Sequence, residues 1–432
     1  MRTVNRTLAA LAGVALLATG CGGGGDSGST TSAPAPETSE AAPAPADPSG
    51  PPARGDADLV IWTDDEKIGA VKEIASGFAD ENGISVDVQA ITDTQTSFIT
   101  ANTAGNGPDI VLGAHDWIGN LVQNGAIDPL QLTPDQLGEY SDVAVKATTY
   151  DEQLYGLPYG VESLVLYRNT DLVPEAPATL DDAFAAGQAV VAAGKAESPF
   201  NLNVGELGDA YHMQPLYTSA GGYVFGRNAA GDYDPTDLGV GNPASIEAAK
   251  KIGALGTAGA KVLSPSISGD NSIALFADAK APFLVSGPWA RADIEKAGIG
   301  YEIQPVPGFA GAGPAKPFAG VQAFFIASKG KNKAFAQEFV SGTMNTPEAM
   351  QTMFDLAKLP PALTALQESV GATDPRLKAY LDAANAGEPM PAIPQMAAVF
   401  EPLGKAYAAI VGGADPAQTM TATGQTIADA IG

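Results

Sequence analysis

The sequence predicts an α/β fold, and three observations carry that expectation. From about Asp58 onward, short apolar strand-like runs alternate with stretches whose apolar residues recur at helical spacing. Strand, helix, strand in that order builds parallel pairing. Helix-stopping signals, Asn82-Gly83 and Gly125, fall where the helical runs end. Finally, 432 residues with 45% apolar composition carry core enough for two or three domains, or one large two-lobed unit.

The chain begins with a targeting signature. Arg2 and Arg6 precede an apolar run, LAALAGVALLA (8–18), which is too short to span a bilayer stably. Residues 1–20 are therefore read as a signal peptide. Cys21, the only cysteine, follows Thr19 and Gly20. This arrangement resembles a bacterial lipobox, with Ala18 where Leu is usual. It implies cleavage before Cys21, diacylation of its sulfur and a lipid-anchored protein on the extracytoplasmic face of the cell membrane. The alternative is an ordinary signal peptide cut nearby. With one cysteine, no intramolecular disulfide forms. Residues 22–55 are Gly, Ser, Thr, Pro, Ala and scattered acids, too poor in bulky apolar side chains to order. Together with Cys21 they read as a tether spanning about 30–35 Å as a coil.

The folded part follows in order. LVIWT (59–63) is an apolar strand. Residues 67–81 place Ile68, Val71, Ile74, Ala75 and Phe78 on one helical face. ISVDVQAI (84–91) alternates like a strand with one wet face, and DIVL (109–112) is the next strand. Trp117–Asn124 is a short helix with Ile118, Leu121 and Val122 on one side. LPYGVESLVLYRNTDLV (157–173) reads as a Gly-containing turn followed by a strand at 164–167. Residues 177–194 form a helix capped by Thr179 with Asp182 three positions on. APFLVSGPWARADIEKAG (281–298) is again strand, turn, helix, and 316–328 is a long strand. Helices are expected over 333–344, 346–357, 376–385, 395–411 and 416–431, the last with Met420, Ile427 and Ile431 on one core-facing stripe.

One junction raises a chemical question. GPDIVLGAHDW (107–117) puts His115, Asp116 and Trp117 together where a strand ends and a helix begins. On one reading Asp116 is the helix N-cap and its neighbours pack. On the other the trio lines a ligand site, because α/β sheets bind ligands beyond the carboxyl ends of their strands. The sequence alone leaves both open.

Charge and composition exclude several classes. The formal net charge is −26, which disfavours nucleic acid as a partner and repels anionic solutes at long range. Only two histidines are present, so a His-based zinc site is not expected. No phosphate-cradling Gly-Lys-Ser/Thr loop and no GxSxG elbow occur. No cofactor or metal is expected. After the signal peptide no segment is long and apolar enough to cross a membrane.

The runs LVIW, GPDI with AHD a little later, GLPYGVESLVLYRN, GGYVF, SGPWA, KPFAGV and MPAIPQM (390–396) occur in this order across essentially 58–432. Together they resemble the maltose/maltodextrin-binding proteins of bacterial ABC importers. The resemblance implies a two-lobed periplasmic-binding-protein type fold with three inter-lobe crossovers, near 160–164, 319–323 and 371–375, and a ligand cleft between the lobes. The N-terminal lobe would hold 56–160 and 324–370, the C-terminal lobe 165–318 and 376–432. The implied role is capture of a disaccharide or oligosaccharide by a monomer and delivery to permease subunits, without catalysis.

Sugar rings present an apolar face, which aromatic planes cover, and a rim of hydroxyls, which carboxylates accept strongly. The resemblance assigns these roles residue by residue. Asp116 and Glu162 match family carboxylates. Glu66 and Lys67 match an acid–lysine pair, which Asp64 joins. Asp209 and Tyr211 match an acid and an aromatic beside a local insertion at 204–208. Trp289 matches a stacking Trp, and Met390 a methionine bordering the site. The family has Trp at the positions of Gly113 and Phe400, and Arg at those of Trp117 and Gly404. Trp117 then restores an aromatic surface from a shifted position, and an α-glucoside other than maltose, such as trehalose, stays open. Each residue also has a structural reading: packing for Trp289, Tyr211 and Phe400, backbone bonding for Glu162, a solvated first turn for Lys67. Two competing functions remain, a receptor of the same fold for a cationic solute and a secreted glycoside hydrolase.

Overall fold

The computed structural model describes residues 54–229 and 231–432. The segments expected to be a signal peptide and a tether, with Cys21 between them, lie outside the described residues up to residue 53.

The protein is a mixed α/β structure of two lobes. In the first sheet, Leu59–Thr63 pairs in parallel with Val86–Ala90 and Ile110–Ala114. The long strand Phe318–Ala327 runs antiparallel beside Ile110–Ala114 and also pairs with Gly156–Glu162, Ile127–Asp128 and Glu388–Pro389. Strand alternation buries both faces. Leu59, Ile61, Ile110, Leu112 and Phe324 enter one core cluster, while Val60, Trp62, Val111 and Phe325 enter another, as period-two geometry requires. The second sheet has the order Tyr301–Pro305, Val165–Asn169, Phe283–Ser286, Asn201–Leu202. Its core gathers Leu166, Phe283 and Val285 with Tyr217 and Tyr407 from covering helices. The expected parallel pairing holds for the first three strands; both sheets as a whole are mixed.

Several expected elements are in place. The first helix spans Ile68–Asn82 and ends on Gly83, whose φ of 64° suits glycine. Leu180–Ala192 carries the Thr179–Asp182 capping box. On the last helix, Pro416–Ile431, Met420 and Ile427 are buried and Ile431 is half-buried.

Other expectations are corrected. GLPYGVE is a strand, not a turn: Gly160 sits in register opposite Gln322, and a Cβ there would lie 3.0 Å from Leu359 Cβ. Glycine is required by close packing, not by chain reversal. Residues 333–344 form an α-helix, Lys333–Glu338, that widens into a π-helical turn, Phe339–Thr343. Residues 395–411 divide into a 3₁₀ turn, Pro394–Ala398, and a helix, Phe400–Val411. Arg54, placed in the tether, is fixed to the fold. Its guanidinium pairs with Asp109 at 2.6 Å, and both side chains are buried. Asp109 also accepts the N–H groups of Val60 and Asn332, each at 2.9 Å. A buried ion pair is held in this way when further hydrogen bonds satisfy the carboxylate.

Candidate functional site

Candidate residues collect beyond the carboxyl ends of strands. Asp64 to Lys67 follow Leu59–Thr63, His115 to Trp117 follow Ile110–Ala114, Glu162 ends Gly156–Glu162, and Trp289 follows Phe283–Ser286. Two of these junctions share a design. A 3₁₀ turn, His115–Trp117 or Pro288–Ala290, carries a Trp whose ring lies on a glycine. A Cβ on Gly113 would come within 2.0 Å of Trp117 Cζ3, and one on Gly287 within 2.2 Å of Trp289 Cζ3. Each ring therefore occupies the volume a side chain would take. The ring of Trp117 covers Gly113, the position where the family resemblance leaves an aromatic plane missing.

The His-Asp-Trp trio divides into three roles. His115 is fully buried. Val321 N–H donates to its Nδ1 at 3.1 Å, and its Nε2 lies 3.1 Å from Met390 carbonyl oxygen. The proton thus sits on Nε2, and burial depresses the imidazole to a pKa of about 4. His115 is a neutral brace. Asp116 is not the helix N-cap: it lies inside the 3₁₀ turn, the helix starts at Ile118, and no side chain caps either. Its Oδ1 is buried without a hydrogen-bond partner. Desolvation, opposed by its own backbone N–H and reinforced by the charge of Glu162, raises its pKa to about 7. The residue as a whole is half-buried, but a buried carboxylate oxygen left without a partner is costly unless a ligand completes it.

Glu162 is raised for the same first reason, burial; Gln322 and Lys67 oppose the shift, while Glu66 and Asp64 add to it. Gln322 Nε2 donates to its Oε1 at 3.2 Å. Lys67 is buried, contrary to a solvated first turn, and its ammonium binds Asp64 Oδ2. The other oxygen of Asp64 accepts the N–H groups of Glu66 and Lys67 at 3.1 and 3.2 Å, so Asp64 fixes the loop and the lysine together. Glu66 is exposed.

Tyr211 connects the acids to the aromatic wall. Its hydroxyl is buried without a partner, and the phenol is held well above its ordinary pKa by burial and then by Glu162, Asp209 and Asp116. Its ring lies 6.4 Å from Trp289 and stacks at 28° on Phe318, 6.5 Å away. Trp289 is 39% exposed, a large aromatic left open to solvent. His212 meets it edge-on at 6.0 Å.

Three assignments acquire structural duties. Asp209 caps the helix Ala210–Ser219: its Oδ1 accepts His212 N–H, and its Oδ2 lies 2.8 Å from His212 Nδ1 and accepts Asn203 Nδ2 at 2.7 Å. Met390 is buried and braced through its main chain to Ala319 and His115. Phe400 is half-buried against the second core. Phe318, Gln322 and Tyr159 were missed. Tyr159 is a buried phenol without a partner beside Asp64 and Glu162. Strand periodicity marks such residues only as core, so nothing in the sequence separated them. Among the described residues no group of three or more His, Cys, Asp or Glu side chains could hold a metal ion, and no helix is long and apolar enough to cross a membrane.

Two α/β lobes, two aromatic planes resting on glycine, and buried polar groups without partners define a receptor that encloses a polar solute. Residues 73–379 match the family of bacterial extracellular solute-binding proteins, and the chain belongs to that family. It is 28% identical over 396 residues to the galactooligosaccharide-binding protein of Bacillus subtilis (strain 168), covering 86% of this chain and 88% of that one. It is 26% identical to the maltooligosaccharide ABC transporter solute-binding lipoprotein of Streptococcus pneumoniae (strain ATCC BAA-255 / R6), covering 80% and 82%. The crystal structure of a cyclo/maltodextrin-binding protein complexed with maltotetraose superposes with a TM-score of 0.74 at 27% identity, over 86% of this chain and 97% of that one.

Proposed function

We propose that this protein captures maltodextrin-like α-glucosides between its lobes and delivers them to the permease of an ABC importer. The observation that carries the proposal is the pair of buried, unpartnered polar atoms, Asp116 Oδ1 and Tyr211 hydroxyl, set beside aromatic planes. A sugar supplies both halves of that need: hydroxyls that donate to the carboxylate and meet the phenol, and a ring face for Trp289 and Trp117. Asp64, Glu66, Lys67, Glu162, Asp209, Met390 and Phe400 complete the proposed lining. The assignment of the lobes to 56–160 with 324–370 and to 165–318 with 376–432 belongs to the same proposal. It is supported by the two sheets, although the long strand pairs with the first sheet from Phe318 on, where Glu388–Pro389 joins that sheet.

A second reading has one observation in its favour. Asp64, Glu66, Asp116 and Glu162 crowd the site around a single lysine, which suits a cationic solute held by acids and aromatic faces. A thermal-shift panel of maltose, maltotriose, longer dextrins, trehalose, galactooligosaccharides and polyamines separates the readings. A ligand at a hundredfold its Kd stabilises the folded state by about 2.7 kcal/mol, enough to raise Tm visibly. Dextrins should raise it and polyamines should not; the reverse pattern overturns the proposal, and a response to galactooligosaccharides alone replaces its sugar.

Cys21 is proposed as the site of lipid attachment, holding a monomer on the outer face of the membrane. One acyl chain binds a bilayer only reversibly, whereas two anchor it. Cys21→Ser should therefore abolish lipid labelling and move the protein from the membrane fraction to the medium. Persistent labelling of that variant would remove the anchor.

A further inference from the structure

The groove between 203–209 and the turn 265–270 shares Asp209 with the proposed lining of the cleft. It is an open pocket of about 580 Å³ whose lining includes Asn203, Glu206, Leu207, Asp209, Ser266 and Asp270. We infer that this groove is an additional subsite that takes the outer rings of an oligosaccharide running out of the cleft, with Leu207 as its apolar contact. The inference rests on the sugar-binding reading above.

Leu207 is 79% exposed, far more than the other large exposed hydrophobics among the described residues, Leu356 at 47% and Trp289 at 39%. A single exposed Leu needs no explanation by itself; its support does. The segment bearing it is fixed at both ends. Val204 and Gly205 N–H groups both donate to Ile267 carbonyl, at 3.0 and 2.8 Å, which ties the segment to the opposite wall of the groove. Gly208, at φ 84°, lies directly on the helix Phe400–Val411: a Cβ on it would fall 1.8 Å from Gly404 carbonyl oxygen. Two glycines meet there backbone to backbone; a side chain at Gly208 would push the segment away, and one at Gly404 would press on it at 3.1 Å. Leu207 is thus presented to solvent by a braced turn.

The groove also continues the site. Asp209 lines it and holds His212, which meets Trp289 edge-on at 6.0 Å. Phe400 stands one helical turn before Gly404, on the face against which Gly208 rests. The path from Trp289 to the groove thus runs through His212 and Asp209, and Leu207 lines the same groove as Asp209. The other wall offers hydroxyl and carboxylate groups at Ser266 and Asp270, both exposed. An apolar knob facing polar acceptors matches the two surfaces of a pyranose ring. A pocket of this volume lies in the range that holds small ligands.

Calorimetric titration of the whole folded chain with maltose, maltotriose, maltotetraose and maltohexaose tests the inference, using wild type, Leu207→Ser and Asp270→Ala. Wild type should bind the hexasaccharide about five- to tenfold more tightly than the trisaccharide, the scale of one partly buried apolar contact. Leu207→Ser should flatten that rise and leave the maltose Kd within about twofold, since Leu207 would lie beyond the disaccharide. Asp270→Ala should reduce the rise in part. An unchanged length dependence in Leu207→Ser, with maltose still bound, overturns the subsite alone. Equal loss at every length also overturns it. If no glucan binds wild type, the sugar-binding reading falls, and this inference with it.

Discussion

Trp289→Ala should weaken sugar binding by about 2–4 kcal/mol, thirty- to a thousandfold in Kd, the cost of truncating a central aromatic anchor. Folding should survive the change. The ring is 39% exposed and rests on Gly287 rather than filling core space, so its removal opens a cleft to water instead of leaving a sealed cavity. Its loss also strips one neighbour from Tyr211 and one from His212, which should cost stability less than about 1 kcal/mol, well below the 3–5 kcal/mol of a buried aromatic truncation. Isothermal titration and urea unfolding read the two quantities separately. Unchanged affinity with a marked drop in the unfolding midpoint would make Trp289 a packing residue.

Asp116 should give the protein opposite pH responses with and without ligand. Its folded-state pKa is raised to about 7, against about 3.9 in the unfolded chain. Between those values the folded state binds more protons than the unfolded state, so its stability falls as pH rises through the window and is restored on acidification. The full contribution is about 2–4 kcal/mol, since a tenfold change in proton affinity corresponds to about 1.4 kcal/mol. Glu162, raised in the same direction, adds to it. Ligand-free protein should therefore melt higher at pH 5 than at pH 8. Sugar hydroxyls donate to the ionised carboxylate, so affinity should fall on acidification from pH 8 to pH 5, where the ligand-free protein gains stability.

General acidification also relieves the repulsion of a strongly acidic chain, and Asp116→Asn isolates the local share. At pH 8 this variant should melt above wild type, because no buried charge is left to desolvate. Its sugar affinity should fall about tenfold or more with the loss of a charged acceptor. Its melting temperature should also respond less to pH than that of wild type. A variant that melts lower at pH 8 while binding normally would return Asp116 to a purely structural role.

The sequence showed the repetitive parts of this molecule and hid the parts that depend on distant neighbours. Leu59–Thr63 and Ile68–Asn82 were legible because apolar residues at period two and period 3.6 state which face is buried. Thr94–Thr103 was missed because four of its ten residues are threonine, whose branched side chains lower helix propensity. Pro243–Leu255 has a Pro start and an Asn242 cap and could have been found. At the proposed site, the family resemblance pointed to Asp116, Glu162 and Trp289, but the sequence could not say which polar atoms would lack partners. Asp116 looked like a cap because a carboxylate before a helix usually is one; the 3₁₀ turn moved the helix start past it. His115 could not be read at all, since its partners Val321 and Met390 lie more than two hundred residues away.

The two tryptophans that rest on glycines bear on how such receptors diversify. An aromatic ring supported by main chain needs no custom bed of side chains. At the first junction the plane over position 113 comes from residue 117, with glycine left where the plane lies. A lineage can therefore relocate its stacking surface by exchanging two residues on one turn, shifting the tilt and depth of the plane while the sheet beneath stays as it was. Such an exchange would alter ligand preference at the strand–turn corner without rebuilding the core beneath it.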